Sequence, residues 1–263
     1  MKAAITFAPT STTVRAPAPI ARAFVSIVVP TFNEAATICR QAQALGQLPD
    51  VEIIFADGGS GDGTANMIGS ILPGLPNAHL VQTSCGRARQ MNAGAKQARG
   101  EWLIFLHADT TLPTDSFAVF LETVKASPQL NAGAFTFRIA HAHWVYRYLE
   151  FYVGLRCKFL KLPFGDQALF IKRRLFEELG GYRDDFHLME DMELVQRLNK
   201  QAGFTILPAP VFTSPRRYEH DGFFKRGLGN IYLQLLYRCG VHPRELANKY
   251  YSPATRKGVQ HEL

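Results

Sequence analysis

Residues 102–110 read Trp-Leu-Ile-Phe-Leu-His-Ala-Asp-Thr, and this stretch decides the fold. Its apolar run predicts a buried strand over Trp102–His107. The run stops at His107-Ala108-Asp109, which sets a single carboxylate just past the carboxyl end of a core strand. Ligands of open α/β sheets bind along that edge. A carboxylate there can hold a hard divalent cation, and the cation can grip a diphosphate. The competing reading makes Asp109 the cap of a helix that starts near Thr114.

Upstream of this strand the pattern is regular. Phe24–Val29 is an apolar, β-branched run that ends at Pro30, a first strand. Asn33 or Thr31 can cap a helix that runs through about Leu45. Val51–Phe55 is a second strand, followed by a glycine-rich loop and a helix from Thr64 to Leu72. His79–Gln82 is a third strand, and Arg87–Ala98 a helix stopped at Gly100. Strands that alternate with helices at this spacing imply a parallel sheet with right-handed crossovers. Downstream the rhythm loosens. Helices are expected over Phe117–Ala126, Trp144–Lys158, Arg174–Leu179 and Leu188–Gln201. Strands are expected over Ala132–Ile139, Ala168–Lys172 and Phe204–Leu207. The acceptor side of a site belongs to this less regular half.

The chain has 263 residues and is 47% hydrophobic, enough for one large domain or a core domain with an insertion. Residues 1–23 form an Ala/Pro/Thr-rich leader without an apolar signal region; with no acidic residue there, a transit-like role stays open. The globular domain is expected over 24–215, with a C-terminal amphipathic helical extension over 216–263. No apolar run is long enough to span a bilayer. Cys39, Cys85, Cys157 and Cys239 are widely spaced, which argues against a zinc site or disulfide framework and for a cytoplasmic enzyme. His141 and His143 lack a third ligand nearby and read as structural or surface residues. The net charge of +7 favours an anionic partner.

Three constellations carry chemistry. In Asp57-Gly-Gly-Ser-Gly-Asp-Gly-Thr64 the glycines allow close backbone approach to a ligand, and Asp57 can accept hydrogen bonds from a base or ribose. The same segment also reads as a turn with Asp62 or Thr64 capping a helix. In Gly86-Arg-Ala-Arg-Gln-Met-Asn-Ala-Gly94 two arginines sit at a helix start, where positive charge opposes the helix dipole. Something anionic must compensate, and a diphosphate would. In Leu188-Met-Glu-Asp-Met-Glu-Leu194 the apolar stripe is Leu188, Met192, Val195 and Leu198. Glu190 and Asp191 lie off it at the helix start. They serve there as dipole partners, or as a general base toward an acceptor hydroxyl.

Together Val25-Ser-Ile-Val-Val-Pro-Thr-Phe-Asn-Glu34, the Asp57–Thr64 loop, His107-Ala-Asp109 and Glu190-Asp191 resemble, in this order, family 2 glycosyltransferases of the GT-A fold. The resemblance covers about residues 24–215. Gly165-Asp166-Gln167 and Leu179-Gly-Gly-Tyr182 resemble the arsenosugar-biosynthesis subgroup. The family implies an α/β fold: a Rossmann-like, nucleotide-binding parallel or mixed sheet flanked by helices. It implies Pro30, Thr31 and Glu34 on the nucleotide side and Asp57 near the base, with Gly58 where a second acid is usual. Asp109 matches the last acid of the D-x-D motif and so the ligand of Mn²⁺ or Mg²⁺, while His107 stands at the first acid. Arg87 and Arg89 fall where basic residues meet the donor. Asp191 matches the base of inverting members, with Glu190 beside it. The expected activity is metal-dependent, inverting transfer of a sugar from a nucleotide-diphosphate donor to an acceptor hydroxyl.

A sugar-phosphate nucleotidyltransferase is the enzymatic alternative. It would usually carry a basic, glycine-rich loop after the first strand, where this chain has Pro30-Thr-Phe-Asn-Glu34. A nucleic-acid-binding protein would account for the charge, but basic residues alternate with acids and no recognised module is present, so no nucleic acid partner is expected. Phe223–Cys239 has an apolar stripe of Phe224, Leu228, Ile231 and Leu235, widened by Tyr232 and Leu236. It reads as a helix packed on the domain, as a cap over the acceptor site, or as an interfacial helix in peripheral contact with an anionic membrane.

Overall fold

The structure is a computed structural model that describes residues 24–250. The expected leader, 1–23, and the last part of the extension, 251–263, lie outside the described residues, as does the side chain of Phe224.

The first half alternates as the sequence implies: β1 (Val25–Thr31), α1 (Ala35–Gly46), β2 (Val51–Asp57), α2 (Thr64–Ile71), β3 (Ala78–Gln82), α3 (Arg87–Gln97) and β4 (Trp102–Phe105). There follow β5 (Thr110–Thr111), α4 (Thr114–Ala126), β6 (Ala132–Ile139), α5 (Trp144–Leu160), β7 (Leu169–Lys172), α6 (Arg173–Glu178), α7 (Glu190–Leu198) and β8 (Phe204–Thr213). Three helices close the described chain: α8 (Arg216–Asp221), α9 (Phe223–Arg238) and α10 (Pro243–Tyr250). The strands form one sheet in the order β3-β2-β1-β4-β7-β6-β8-β5. Strands β3, β2, β1 and β4 are parallel, while β7 runs antiparallel to β4 and to β6. The sheet is therefore mixed, and its parallel half matches the regular half of the sequence.

Of the parallel strands, β1, β2 and β4 are buried on both faces, and β3 at the sheet edge is half-buried. Val25, Ile27, Val29, Trp102 and Ile104 pack in one core layer; Val28, Ile54, Leu103 and Phe105 pack in the other. This is the period-two alternation of a strand covered on both sides. Helix α3 lies close on β1 because residue 94 is glycine; a Cβ there would collide with Val28. The buried Gln90 of the same helix donates to the carbonyls of Thr31 (2.6 Å) and Ala56 (2.9 Å). It ties together the carboxyl ends of β1 and β2.

Strand β8 extends well past Leu207, to Thr213. Pro208 and Pro210 read as a stop because proline cannot donate to a ladder. The sheet accommodates them with a register shift opposite Ala134–Thr136. Helix α7 is shorter than its apolar pattern. It starts at Glu190, after Met189 with a positive φ of 67°. Among the described residues no helix is long and apolar enough to cross a membrane. None of the four cysteines is in a disulfide.

Candidate active site

Chain order and sheet order part company at β1. The chain runs outward through β2 and β3, then returns to place β4 on the other side of β1. Such a switch point opens a crevice at the carboxyl ends of the strands. Pro30 near the end of β1, Phe32 and Glu34 just after it, and His107 and Asp109 after β4 line a cavity of about 100 Å³ there. A second cavity of about 160 Å³ shares Arg87, His107 and Asp109 with it. Its far wall holds Asp166, Glu190, Asp191, Tyr218, Asn230 and Gln234.

The nucleotide-side loops are stitched to one another. Helix α1 has no side-chain cap of its own. Instead Thr64 Oγ1 accepts from the Glu34 N–H (2.8 Å) and Asp62 Oδ2 from the Ala35 N–H (3.0 Å). The exposed amides of a helix start are thus satisfied from a loop remote in sequence. Asp62 also accepts from the Thr64 N–H and hydroxyl. Burial works upward on its carboxyl, but these hydrogen bonds outweigh it and hold the group below the usual aspartate value. Asn33 and Ser60 add two more cross-links. Asp57 is almost fully buried and accepts from the N–H groups of Gly59 and Ser60 (both 3.0 Å) and from the Ser60 hydroxyl. Its carboxylate shapes the loop, and it does not line either cavity. Thr31 is also buried and reaches toward Asp57.

Arg87 and Arg89 diverge although they share a helix turn. Arg87 lines both cavities and pairs with Glu190 at 2.9 Å. Arg89 donates to the Cys85 carbonyl (3.2 Å) and lines neither cavity. Glu190 therefore supplies an anion that the arginine-bearing helix start calls for. It is only 2% exposed, and burial raises its carboxyl above the usual value against the pull of Arg87.

Asp191 is set differently from its neighbour. Its Oδ1 accepts from the Met192 N–H and its Oδ2 from the Gly165 N–H, both at 2.7 Å. A carboxylate oxygen has two lone pairs, so each retains accepting capacity toward the cavity. Gly165 is needed for this approach: a Cβ there would lie 2.8 Å from His107 Nε2 and 3.4 Å from Asp191 Oδ2. Its segment also braces the sheet end, since Thr213 Oγ1 donates to the Asp166 carbonyl (3.2 Å) and lies 3.1 Å from Thr110 Oγ1.

The sequence pattern does not single out Arg216, Tyr218 or Gly165 as site residues. Arg216 pairs with Glu34 at 3.0 Å, and the Glu34 bond, with a smaller pull from Asp109, raises its pKa. Burial pushes the Tyr218 phenol up to about 12, so it stays protonated at neutral pH. Helix α9 packs Leu233 against Leu188, Leu246 and Ala247, and turns Asn230 and Gln234 to the larger cavity. Leu228, Tyr232 and Leu235 of its sequence stripe stay exposed.

Among the described residues no group of three His, Cys, Asp or Glu side chains is disposed to cage a metal ion. The donor set offers Asp109, with His107 two residues before it, facing a cavity beside the switch point. That fits a hard cation that takes one protein carboxylate and completes its shell with phosphate oxygens and water, as Mg²⁺ does.

The family pattern described as Glycosyl transferase family 2 matches residues 26–180. The chain belongs to that family. A "PGL/p-HBAD biosynthesis glycosyltransferase" of Mycobacterium tuberculosis is 30% identical over 176 residues, covering 64% of this family 2 chain and 66% of that protein. The chain thus spans slightly less than two thirds of this relative. A "Poly-beta-1,6-N-acetyl-D-glucosamine synthase" of Staphylococcus epidermidis is 30% identical over 111 residues, 41% of this chain and 27% of that one. Among solved structures, the mannosyltransferase PcManGT from Pyrobaculum calidifontis, in complex with GDP-Man and Mn²⁺, superposes with a TM-score of 0.64 at 22% identity. It covers 90% of this chain and 71% of that one. S. aureus TarS 1–349 with UDP-GlcNAc superposes with a TM-score of 0.59 at 15% identity, over 72% and 58% of the two chains. These likenesses establish the GT-A fold of this family 2 chain.

Proposed function

We propose that the chain transfers a glycosyl group from a nucleoside-diphosphate sugar to an acceptor hydroxyl with inversion. One observation carries the reading: Asp191, held by two backbone N–H groups, lines the same cavity as Asp109 at the switch point of the sheet. Asp191 takes the acceptor proton as the hydroxyl oxygen attacks the anomeric carbon. The bond from that carbon to the diphosphate oxygen breaks on the opposite face, so a single displacement inverts the centre. A divalent ion, Mn²⁺ or Mg²⁺, held by Asp109 would neutralise charge on the leaving diphosphate. Arg87, which lines both cavities, adds positive charge to the crevice, and Arg216 adds it from behind Glu34, with which it pairs. Glu190 orients Arg87 rather than receiving the proton.

In this reading residues 24–215 form the catalytic body, and 216–263 an extension whose α8 and α9 close the acceptor side. The GDP-Man and UDP-GlcNAc complexes of the structural neighbours support a nucleotide-sugar donor, and the Mn²⁺ of the first supports the metal. The arsenosugar-type grouping rests on the sequence resemblance of two segments, both of which meet site elements: Gly165 holds Asp191, and the Tyr182 N–H donates to Asn92 of α3 at 2.9 Å. The test is release of nucleoside diphosphate from a panel of nucleotide sugars with Mn²⁺ or with a chelator, followed by NMR of the product's anomeric centre. Inverted product formed only with metal is expected. Retention of configuration, or no turnover of and no binding to any donor, overturns the proposal.

A further inference from the structure

Helix α5 is apolar on two sides. Tyr146, Val153 and Cys157 face inward and pack with Phe137 and Ile139. On the opposite side Trp144, Tyr148, Phe151, Leu155 and Phe159 are exposed, by 71%, 68%, 62%, 39% and 72%. At 3.6 residues per turn these five fall within an arc of about 80°. A helix that is hydrophobic all round is ordinarily buried on all sides, and this one is not. A contiguous aromatic stripe of this kind marks a contact surface.

Charge around the stripe selects what it contacts. The exposed charged residues of 141–161 are Arg147, Lys158 and Lys161, all basic. The one acid in that stretch, Glu150, is 6% exposed and turned inward onto Arg138 and Arg147. A second copy of this chain, paired about a two-fold axis, would set these cations against their own kind. The 1–23 leader also lacks acids. An anionic bilayer surface complements both features at once, taking the aromatic rings at its acyl boundary and the cations at its headgroups.

We propose that the outer face of α5 is an interfacial membrane-docking surface for anionic phospholipid, with Trp144, Phe151 and Phe159 inserted and Lys158 and Lys161 on the headgroups, while Arg147 stays paired with Glu150. The chain leaves α5 at Leu160 and reaches Phe164 and Asp166 of the larger cavity within a few residues. A docked α5 therefore holds that cavity beside the membrane. This surface is independent of the transferase reading, and its test reads binding rather than turnover.

The molecule carries its own reporter. Of its two tryptophans, Trp102 is buried in the core and Trp144 is exposed at the start of α5. The full chain is titrated with vesicles of phosphatidylcholine alone and of phosphatidylcholine mixed with phosphatidylglycerol, at low salt. The mixed vesicles should blue-shift the emission and co-sediment the protein; Trp144→Phe should abolish the shift but not the sedimentation. Phe151→Glu, at an exposed position, should weaken partitioning by about tenfold or more with an unchanged melting temperature. No partitioning of the parent overturns the proposal. So does undiminished partitioning of Phe151→Glu, or loss confined to Leu235→Glu on α9. A dimer in vesicle-free solution that Phe151→Glu dissociates also overturns it, since a second copy would then cover the face.

Discussion

The backbone N–H of Gly165 donates to Oδ2 of Asp191 at 2.7 Å, joining the segment after α5 to the first turn of α7. Two regions 26 residues apart thereby fix one carboxylate in the larger cavity. Asp191→Asn keeps the shape and removes the proton acceptor. Turnover should fall by about 10²-fold or more, while donor affinity measured by calorimetry stays within a few-fold. Near-normal turnover would take the base role from Asp191.

Gly165→Ala tests the same pair from the other side. Its Cβ would stand 2.8 Å from His107 Nε2 and 3.4 Å from Asp191 Oδ2. Displacement of a reacting group by about an ångström can cost roughly 10² in rate. A loss of that size in kcat, with a melting temperature close to the parent's, is the expected outcome. Full activity would show that the site gives way freely at this point.

Arg87→Met leaves Glu190 buried without its cation. Breaking a buried pair costs about 3–5 kcal/mol, and because Arg87 is 35% exposed the expected loss is smaller, roughly 2 kcal/mol in chemical denaturation near neutral pH. The sign of the pH dependence follows from the raised Glu190 carboxyl. A carboxyl raised in the folded state protonates more readily there than in the unfolded chain. Its buried charge is therefore a penalty above the raised value that is relieved as the pH falls through it. The gap between parent and variant should narrow in that direction. A gap that widens on acidification would contradict the assignment.

Asp62→Ala removes the acceptor for the α1 amide of Ala35 and for Thr64. Loss of a cap of this kind costs about 1 kcal/mol. The Asp62 carboxyl lies below its usual value, so its contribution is present above the unfolded aspartate value and is lost as the pH falls through the depressed one. Denaturation midpoints of parent and variant should differ near neutral pH and converge in acid.

Asp109→Ala should abolish the Mn²⁺ dependence of nucleotide-sugar binding while leaving circular dichroism and melting unchanged. Asp109 makes its backbone contact through its carbonyl, which accepts from the Ser214 N–H at 3.0 Å, and that contact survives the substitution. Metal-stimulated binding that persists in the variant would move the ion elsewhere.

Much of this molecule follows from local pattern. The buried runs Val25–Val29 and Trp102–Phe105 specify strands, and their abrupt ends at Pro30 and His107 place Asp109 at a sheet edge, because side-chain periodicity and chain breaks are local properties. The position of Asp191 off the apolar stripe of α7 is legible for the same reason. Partnerships across the chain are not. Arg87 and Glu190 are 103 residues apart, and Arg216 and Glu34 are 182 apart. The charge that the arginine-bearing helix start called for came from Glu190, buried beside it. Periodicity also stops short of Thr213 in β8, since Pro208 and Pro210 are tolerated only through a register shift supplied by β6. It cannot say which side of α5 faces solvent, because both sides are apolar. The sequence by itself determined the alternating strands and helices of the first half, most of those in the second, and the sheet edge at which Asp109 stands. Tertiary packing alone decided which acids remain accessible, since burial and pairing depend on neighbours that the chain brings together only by folding.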